Sequence, residues 1–350
     1  MSVDLAKLVS KRVLNLEELR DRTVAIDAYN VIYQFLSIIR GPDGNQLADI
    51  HGNVTSHLSG LFYRSIDLLG YGIKPIYVFD GIPSVLKQKT IAARMQRRRA
   101  AYEAWQEAKA RGAVEEARAH AQASTRITKE VVASAKDLLG LMAIPYVSAP
   151  GEGEAQASRM CANGQAYAVG SQDYDTMLFG APLVVRNLTL SGRRKLPGKH
   201  IYVNVEPELM SLDGTLGELG ISQRQLIWLG ILLGTDFNEG VVGVGPKTAL
   251  KIVKGAATIE DIKNYVKSKY NAEFELDIRE VESLFLNPET SEIDDSSLRD
   301  PSTRVPNKES IIKFLCDQHD FGHERIGKFA DKLIAIKSSA GQSGMSRWLK

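Results

Sequence analysis

Two pairs of acidic residues near the middle of the chain constrain its fold more than any other feature. Glu152 and Glu154 stand among glycines, which let the backbone turn sharply. Asp173 and Asp175 follow residues 166–170, a short apolar run typical of a buried strand. Acids at positions i and i+2 of a strand end can face the same way. Because four neighbouring carboxylates repel one another unless protons or cations intervene, the pattern predicts a site for divalent cations.

The same pattern, an apolar run that ends in an acid, occurs twice earlier in the chain. The run VAID ends at Asp27 and the run KPIYVFD ends at Asp80, while residues 30–40 and 131–142 have helical periodicity. Strands that alternate with helices indicate an α/β fold with a mostly parallel central sheet flanked by helices. Ligands of such sheets bind beyond the carboxyl ends of the strands, so we expect Asp27 and Asp80 to meet the two acid pairs. Any one aspartate could merely cap the following helix, but their convergence favours a metal site.

The types of residue present favour magnesium over zinc. Carboxylate oxygens suit Mg²⁺, for which Mn²⁺ can substitute, whereas the six histidines show no HxH or HExxH spacing. The two cysteines, Cys161 and Cys316, lie far apart and are expected to be reduced thiols of an intracellular protein. The segment MSVDLAKLVSKRV lacks the apolar core of a signal peptide, and no apolar run is long enough to span a bilayer. We therefore expect no membrane association.

Residues 87–136 differ in character from the rest of the chain. They are rich in Ala, Arg, Lys and Glu, and they predict two helices broken near Gly112 with too little apolar surface for a core. One interpretation is a solvated helical hairpin. The other is a clamp for phosphates, because its first half is strongly basic and follows an acid of the predicted site. The basic residues of this half are Lys87, Lys89, Arg94, Arg97, Arg98 and Arg99.

A second pattern that suits DNA phosphates occurs further along the chain. Residues 222–234 predict a helix, and Gly243-Val-Gly245-Pro246 predicts a turn into another helix, since proline favours the first helical position. This is the pattern of a helix–hairpin–helix, whose glycines let backbone N–H groups approach a phosphate. A nucleotide-binding P-loop is excluded because Pro246 separates Gly245 from Lys247.

The blocks VAIDAYNVIYQFL, YVFDG, GEGEA, SQDYDTMLFG and LLGTDF followed by GVGPKTAL resemble, in this order, the XPG-type structure-specific 5′ nucleases, in particular the compact archaeal flap endonucleases. The resemblance implies a PIN/5′-nuclease-like α/β core at about 1–220, with a helical arch at about 84–136. A helical DNA-binding region at 221–336 and a flexible tail at 337–350 would follow. The implied activity is that of a flap endonuclease and 5′–3′ exonuclease, which hydrolyses DNA phosphodiesters near the base of 5′ flaps in replication (Okazaki fragment maturation) and repair.

The resemblance also implies roles for individual residues. The acids would hold two Mg²⁺ ions, the first by Asp27, Asp80, Glu152 and Glu154, and the second by Asp173, Asp175 and Asp236. Lys87 and Arg94 would contact the scissile phosphate, and Tyr33 would stack on a base near the cleavage point. Further contacts to DNA are expected from Arg40, Arg97, Arg98, Gly243, Gly245 and Lys247, with a K⁺ ion at the hairpin. A box for the sliding clamp PCNA would comprise Gln342, Met345, Trp348 and Leu349. The protein is expected to be a monomer.

Some positions depart from the family pattern, although none of them removes a predicted metal ligand. Ser2 replaces a glycine, Gly151 replaces the more usual serine before the Glu pair, and Ile82 stands where a lysine often follows Asp-Gly. The predicted clamp box ends in Trp348 and Leu349 rather than in two aromatic residues.

Two other functions are open. Asp173-Tyr-Asp175-Thr176 fits the DxDxT motif of haloacid-dehalogenase-type phosphatases, but that motif belongs on an early strand and here lies mid-chain. A nonenzymatic DNA-junction binder attached to the clamp would explain the basic hairpin and the tail. It would have no use for seven acids that repel DNA.

Deletion of residues 341–350 should abolish stimulation by the sliding clamp and leave basal flap cleavage unchanged, because the tail is predicted to act only in recruitment. Cleavage of a labelled flap with and without the clamp measures both quantities. Undiminished stimulation would show that another surface binds the clamp.

Overall fold

A computed structural model describes residues 5–41, 44–190, 192–195, 202–294 and 305–346. Its strands are β1 (Lys11–Val13), β2 (Thr23–Asp27), β3 (Lys74–Phe79), β4 (Tyr146–Ser148), β5 (Ala168–Gly170), β6 (Leu183–Arg186), β7 (Gly192–Lys195), β8 (Tyr202–Val205) and β9 (Glu208–Ser211). Seven of them form one sheet in the order β1-β9-β6-β5-β2-β3-β4, and β7 pairs with β8 in a separate hairpin. The five strands from β6 to β4 are parallel, whereas β9 pairs antiparallel with both β6 and β1. The predicted, mostly parallel α/β sheet is confirmed.

Helices cover both faces of this sheet. They are α1 (Ala28–Ile38), α2 (Ser56–Gly70), α3 (Gln88–Ala110), α4 (Val114–Ala123), α5 (Lys129–Leu141), α6 (Gly153–Ala162), α7 (Asp175–Leu178), α8 (Leu212–Leu219), α9 (Gln223–Leu233), α10 (Pro246–Gly255), α11 (Ile259–Tyr270), α12 (Ile278–Leu286), α13 (Lys308–Ile312) and α14 (His323–Ser346). Successive residues of β2 pack into different cores: Val24 and Ile26 into one, Ala25 into the other. Because side chains of a strand alternate between its faces, a continuous apolar run such as residues 24–26 needs such a core on each side.

The basic segment forms the two predicted helices, α3 and α4, which pack against each other. They are joined at Gly112, whose φ of +71° favours glycine. Three alanines are the buried residues of this pair: Ala108, Ala117 and Ala121. Most of the surface of both helices therefore faces solvent, as expected for a segment outside the core.

Two predicted boundaries differ from the structure. The connection from α9 to α10 spans residues 234–245, so the predicted turn at residues 243–246 is only its last part. Helix α14 continues to Ser346, whereas a flexible tail was predicted from residue 337. No proline interrupts this stretch, and each serine or glycine costs a helix only about 1 kcal/mol or less. Gln342 and Met345 therefore have helical backbone, while Ser2, Trp348 and Leu349 lie outside the described residues.

None of the helices in the described part of the chain combines the length and apolarity that a bilayer span requires.

A buried histidine links two helices of the α1 side of the sheet. His57 on α2 is 1% exposed, and its Nε2 lies 2.8 Å from the Oγ of Ser134 on α5. Burial, followed by the positive charge of His319, lowers the pKa of His57 to about 3. The folded protein therefore keeps His57 neutral at pH values where the unfolded chain, with a pKa near 6.5, binds a proton.

The folded state should lose stability through His57 as the pH falls from about 6.5 to about 3, because the unfolded state alone gains the proton in that window. Between pH 7 and pH 5 this contribution is about 2 kcal/mol. The variant His57→Gln should show a pH dependence of unfolding in urea that is weaker by this amount. The exposed His51→Gln is the control, and an equal change in both variants would contradict the assignment to His57.

Candidate active site

The carboxyl ends of three neighbouring strands carry the first acids of the site. Asp27 is the last residue of β2, Asp80 directly follows β3, and Asp173 follows β5. Because β5, β2 and β3 are adjacent and parallel, these ends meet at one edge of the sheet. Glu152 and Glu154, at the start of α6, join the acids at this edge.

Asp27 and Asp80 are each fixed by a backbone donor. Asp27 Oδ1 accepts a hydrogen bond from the N–H of Asn30 at 3.0 Å, so this aspartate also caps α1, as the capping interpretation predicted. Asp80 Oδ1 accepts from the N–H of Gly153 at 2.8 Å. A Cβ atom at Gly153 would lie 2.6 Å from Asp80 Oδ1, which explains the glycine between the two glutamates.

Two hydroxyl groups donate hydrogen bonds to Glu154. Its Oε1 accepts hydrogen bonds from Ser171 Oγ at 2.9 Å and from Thr176 Oγ1 at 3.1 Å. Asp175, which begins α7, is 4% exposed and contributes to the field that Glu154 experiences. Asp173 and Asp175 therefore lie close enough to Glu154 for their charges to interact with it, although most of α6 separates them in sequence.

Burial and mutual repulsion make these acids hold protons more tightly than usual. Burial is the largest cause of the raised pKa of Asp27, and the negative charges of Asp80 and Asp173 add to it. Burial and the charge of Glu152 raise the pKa of Asp80 to about 6. Burial, followed by Asp173, Asp27 and Asp175, raises the pKa of Glu154. Positive charge placed among these carboxylates would be strongly stabilised.

Two basic side chains reach this site: Lys87, directly before α3, and Arg94, on α3. Lys87 forms an ion pair with Glu152, and its Nζ lies 3.4 Å from Asp236 Oδ2 and 5.6 Å from the centre of the Phe237 ring. Arg94 on α3 forms an ion pair with Asp236. Burial opposes the charge of Lys87, yet Glu152 and Asp236 together raise its pKa. Burial alone would raise the pKa of Asp236, but Lys87 and Arg94 lower it.

A buried turn after α9 presents Asp236 to the site. Thr235 Oγ1 donates to Asn238 Oδ1 at 2.8 Å and accepts from the N–H of Phe237 at 3.0 Å. Asn238 Nδ2 donates to the carbonyl oxygens of Ile231 and Glu239, both at 2.8 Å. Thr235 and Phe237 belong to the LLGTDF block of the sequence, but only the fold shows that Thr235 and Asn238 fix the turn around Asp236.

The residues predicted to contact DNA come from several elements. The guanidinium of Arg98 on α3 lies 5.8 Å from the centre of the Tyr33 ring on α1, and Arg97 is exposed. At the end of the long connection, the backbone of Gly243 and Gly245 has nothing within 4 Å of an added Cβ atom. Lys247, in the first turn of α10, is exposed.

The guanidinium of Arg40 forms hydrogen bonds within the protein. Its Nε donates to the carbonyl of Ser37 at 3.1 Å and its Nη1 to the carbonyl of Gly44 at 2.9 Å. Its Nη2 donates to the carbonyl of Ala121 at 2.9 Å and to Thr125 Oγ1 at 2.7 Å. Arg40 therefore ties the end of α4 to α1, and contact with DNA stays a prediction for this residue.

The donor set fits hard divalent cations. It consists of carboxylate oxygens, which are ligands of Mg²⁺ and Mn²⁺, and burial raises the pKa of three of these carboxyl groups, Asp27, Asp80 and Glu154. Within the described residues, no group of three or more such side chains is arranged closely enough to hold a metal ion. Lys87 and Arg94 instead supply the positive charge beside Glu152 and Asp236. The arrangement therefore suits metal cations that would bind between the acids and neutralise their charge in place of Lys87 and Arg94.

Comparisons with known proteins show the family of this chain. The model of the XPG N-terminal domain matches residues 2–101, and that of the XPG I-region matches residues 143–236. Flap endonuclease 1 of Thermococcus onnurineus strain NA1 is 48% identical over 99% of both chains. The chain belongs to the XPG-type flap endonuclease family. The structure of flap endonuclease-1 from Methanococcus jannaschii is 37% identical, with a TM-score of 0.74 over 97% of this chain and 99% of that one.

A more distant structure shows the same fold. The catalytic core of Rad2 in complex with DNA substrate is 24% identical and covers 95% of this chain and all of that one, with a TM-score of 0.67. The seven acids predicted from the sequence form one connected group, because each of them interacts electrostatically with at least one other. The sequence alone missed the neutral neighbours that orient them, among them Asn30, Ser171, Thr176 and Asn238.

Replacement of Asn238 by leucine should destabilise the protein by about 3 kcal/mol, because two buried carbonyl groups and the hydroxyl of Thr235 would lose their partner. Unfolding in urea measures the change. Asn264→Leu, at an exposed position of α11, should change stability by less than about 0.5 kcal/mol. Equal effects of both substitutions would mean that the turn around Asp236 does not depend on Asn238.

Proposed function

We propose that the protein is a Mg²⁺-dependent, structure-specific 5′ flap endonuclease that also acts as a 5′–3′ exonuclease in DNA replication and repair. The observation that carries the proposal is a set of seven acids, connected by their charges, of which Glu152 and Asp236 form ion pairs with Lys87 and Arg94. A purely structural ion-pair network would not need so many buried like charges. The curated relatives named flap endonuclease 1 match the whole length of the chain.

Two divalent ions fit the proposed role. Asp27, Asp80, Glu152 and Glu154 would hold one ion, and Asp173, Asp175 and Asp236 would hold the other. When bound, the two ions would lower the pKa of an attacking water and stabilise charge on the scissile phosphate and the leaving oxygen. Mn²⁺ would substitute for Mg²⁺ because it accepts the same oxygen ligands.

The protein's own cations would act on the phosphate. Glu152 and Asp236 hold Lys87 and Arg94 beside the acids, and from there both cations would reach a phosphodiester bound at the ions. Their positive charge would oppose the negative charge that grows on the phosphate in the transition state. The face of Phe237 supports the ammonium group of Lys87 at 5.6 Å and keeps it desolvated.

More distant surfaces would hold the rest of a branched DNA. Tyr33 would stack on a base near the cut, while Arg97 and Arg98 on α3, together with Arg40, would contact the strand at the arch. The exposed backbone from Gly243 to Gly245 and the side chain of Lys247 would bind duplex phosphates, with a K⁺ ion at the turn. The proposed partner is the sliding clamp PCNA, bound through Gln342, Met345, Trp348 and Leu349. The protein would act as an intracellular monomer.

The deciding experiment is cleavage of a double-flap DNA with a labelled 5′ strand in Mg²⁺ and in EDTA. Wild type should cut near the flap base only in Mg²⁺. Asp175→Ala should bind the DNA but cut it at least about 10³-fold more slowly, because a metal ligand supplies several kcal/mol of transition-state stabilisation. Asp137→Ala, at an exposed position of α5, is the matched control. Tight binding without any cleavage by wild type would favour the nonenzymatic junction binder.

Lys87→Ala and Arg94→Ala should lower the single-turnover cleavage rate by about 10²-fold and change DNA affinity much less, since both cations act mainly on charge that develops in the transition state. Rates at saturating enzyme and binding in Ca²⁺ separate the two effects. Arg99→Ala, in an exposed i,i+4 pair with Glu103, should leave the rate unchanged. A change confined to Kd would assign Lys87 and Arg94 to binding alone.

A further inference from the structure

Asn30, in the first turn of α1, contacts two acids of the site. Its backbone N–H donates to Asp27 Oδ1 at 3.0 Å, and its side-chain Nδ2 donates to Asp173 Oδ2 at 3.1 Å. Asp27 ends β2, and Asp173 follows the neighbouring strand β5. One residue thus links an acid from each of the two groups that would hold the two ions.

Two further side chains fix the amide of Asn30. Gln34, one helical turn along α1, donates from Nε2 to Asn30 Oδ1 at 2.5 Å. Thr189 Oγ1 donates to Gln34 Oε1 at 3.2 Å. Thr189 is 7% exposed and follows β6, so this chain of hydrogen bonds ends in the core.

The chemistry at the end of this chain sets the direction of every hydrogen bond in it. An ionised carboxylate can only accept, so Asn30 must turn its NH₂ group to Asp173. The carbonyl of Asn30 must then accept from the NH₂ group of Gln34, and the carbonyl of Gln34 must accept from the hydroxyl of Thr189. Rotation of either amide by 180° would place two donors or two acceptors opposite each other and break the hydrogen bonds.

A neutral donor suits Asp173 better than a cation would. Lys87 and Arg94 carry charge and can leave the acids for a phosphate, whereas the amide of Asn30 orients a carboxylate without neutralising it. The remaining lone pairs of Asp173 stay available for a metal ion. Donors that form hydrogen bonds to a metal ligand, without binding the metal themselves, commonly hold that ligand in the geometry that the metal requires.

We propose that Asn30 is a positioning residue for Asp173, and that Gln34 and Thr189 hold its amide in the orientation that this role requires. The inference rests on the function proposed above, because it takes Asp173 as a metal ligand. It concerns the side chain of Asn30 alone, since the contact with Asp27 comes from the backbone and survives substitution.

The test measures Mn²⁺ binding by isothermal titration calorimetry in the absence of DNA, with flap cleavage recorded in parallel. Asn30→Leu keeps the approximate volume and removes the donor, so its affinity for Mn²⁺ should fall by about 10- to 100-fold. Asn264→Leu, at an exposed position of α11, should bind as wild type. Unfolding in urea establishes that each variant is folded before titration.

Two variants test the direction of the hydrogen bonds without a change at Asn30. The carboxylate of Gln34→Glu can only accept, so it would draw the NH₂ group of Asn30 away from Asp173 and weaken Mn²⁺ binding as much as Asn30→Leu. Thr189→Val should weaken binding in the same direction by a smaller factor, and Thr189→Ser should restore it. A general packing defect would not distinguish valine from serine in this order.

The outcomes separate this inference from the proposed function. If wild type binds Mn²⁺ and cuts flaps while Asn30→Leu and Gln34→Glu bind Mn²⁺ equally well, Asn30 does not position Asp173 and only this inference is wrong. If wild type neither binds Mn²⁺ nor cuts flaps, the proposed function fails and the inference falls with it. Should Asn30→Leu not fold, equal binding by Gln34→Glu, Thr189→Val and wild type overturns the inference.

Discussion

Repulsion among buried carboxylates is the constraint on which the rest of this structure depends. Asp27, Asp80 and Glu154 all have raised pKa values, with burial as the first cause and neighbouring acids as the next. A fold that gathers such groups must supply positive charge or hydrogen-bond donors in return. The backbone of α1 and α6, the hydroxyl groups of Ser171 and Thr176, and the cations of the basic helices all serve that purpose.

The cations also connect parts of the molecule that lie far apart in sequence. Lys87 and Arg94 come from the basic segment, whereas Asp236 comes from the connection between α9 and α10. Their ion pairs join the start of α3 to the connection between α9 and α10 through the site itself. Arg40 makes a second attachment of the α3–α4 pair, because it ties the end of α4 to α1 by hydrogen bonds. The position of this helical pair and the charge balance of the site are therefore coupled.

Two kinds of support surround the acids, and they differ in what they permit. Ion pairs with Lys87 and Arg94 balance the charge of Glu152 and Asp236. Hydrogen bonds from neutral groups, such as the amide of Asn30 and the turn around Asn238, set orientation and leave the charge in place. Under the proposed function, metal ions and a phosphodiester would replace the ion pairs, and the hydrogen bonds would keep the acids in position.

The sequence by itself indicated the α/β class, the strands that end at Asp27 and Asp80, the break at Gly112 and the two acid pairs, because apolar periodicity, glycine and charge are local properties of the chain. It also implied the family, since several blocks occur in the expected order. The end of α14 was predicted wrongly, because serine and glycine weaken a helix without ending it. Only the tertiary structure decided which neutral residues orient the acids. Asn30 meets Asp173, and Gln34 meets Thr189, only after β2, β5 and β6 have paired, and no local pattern records a contact between residues so far apart in sequence.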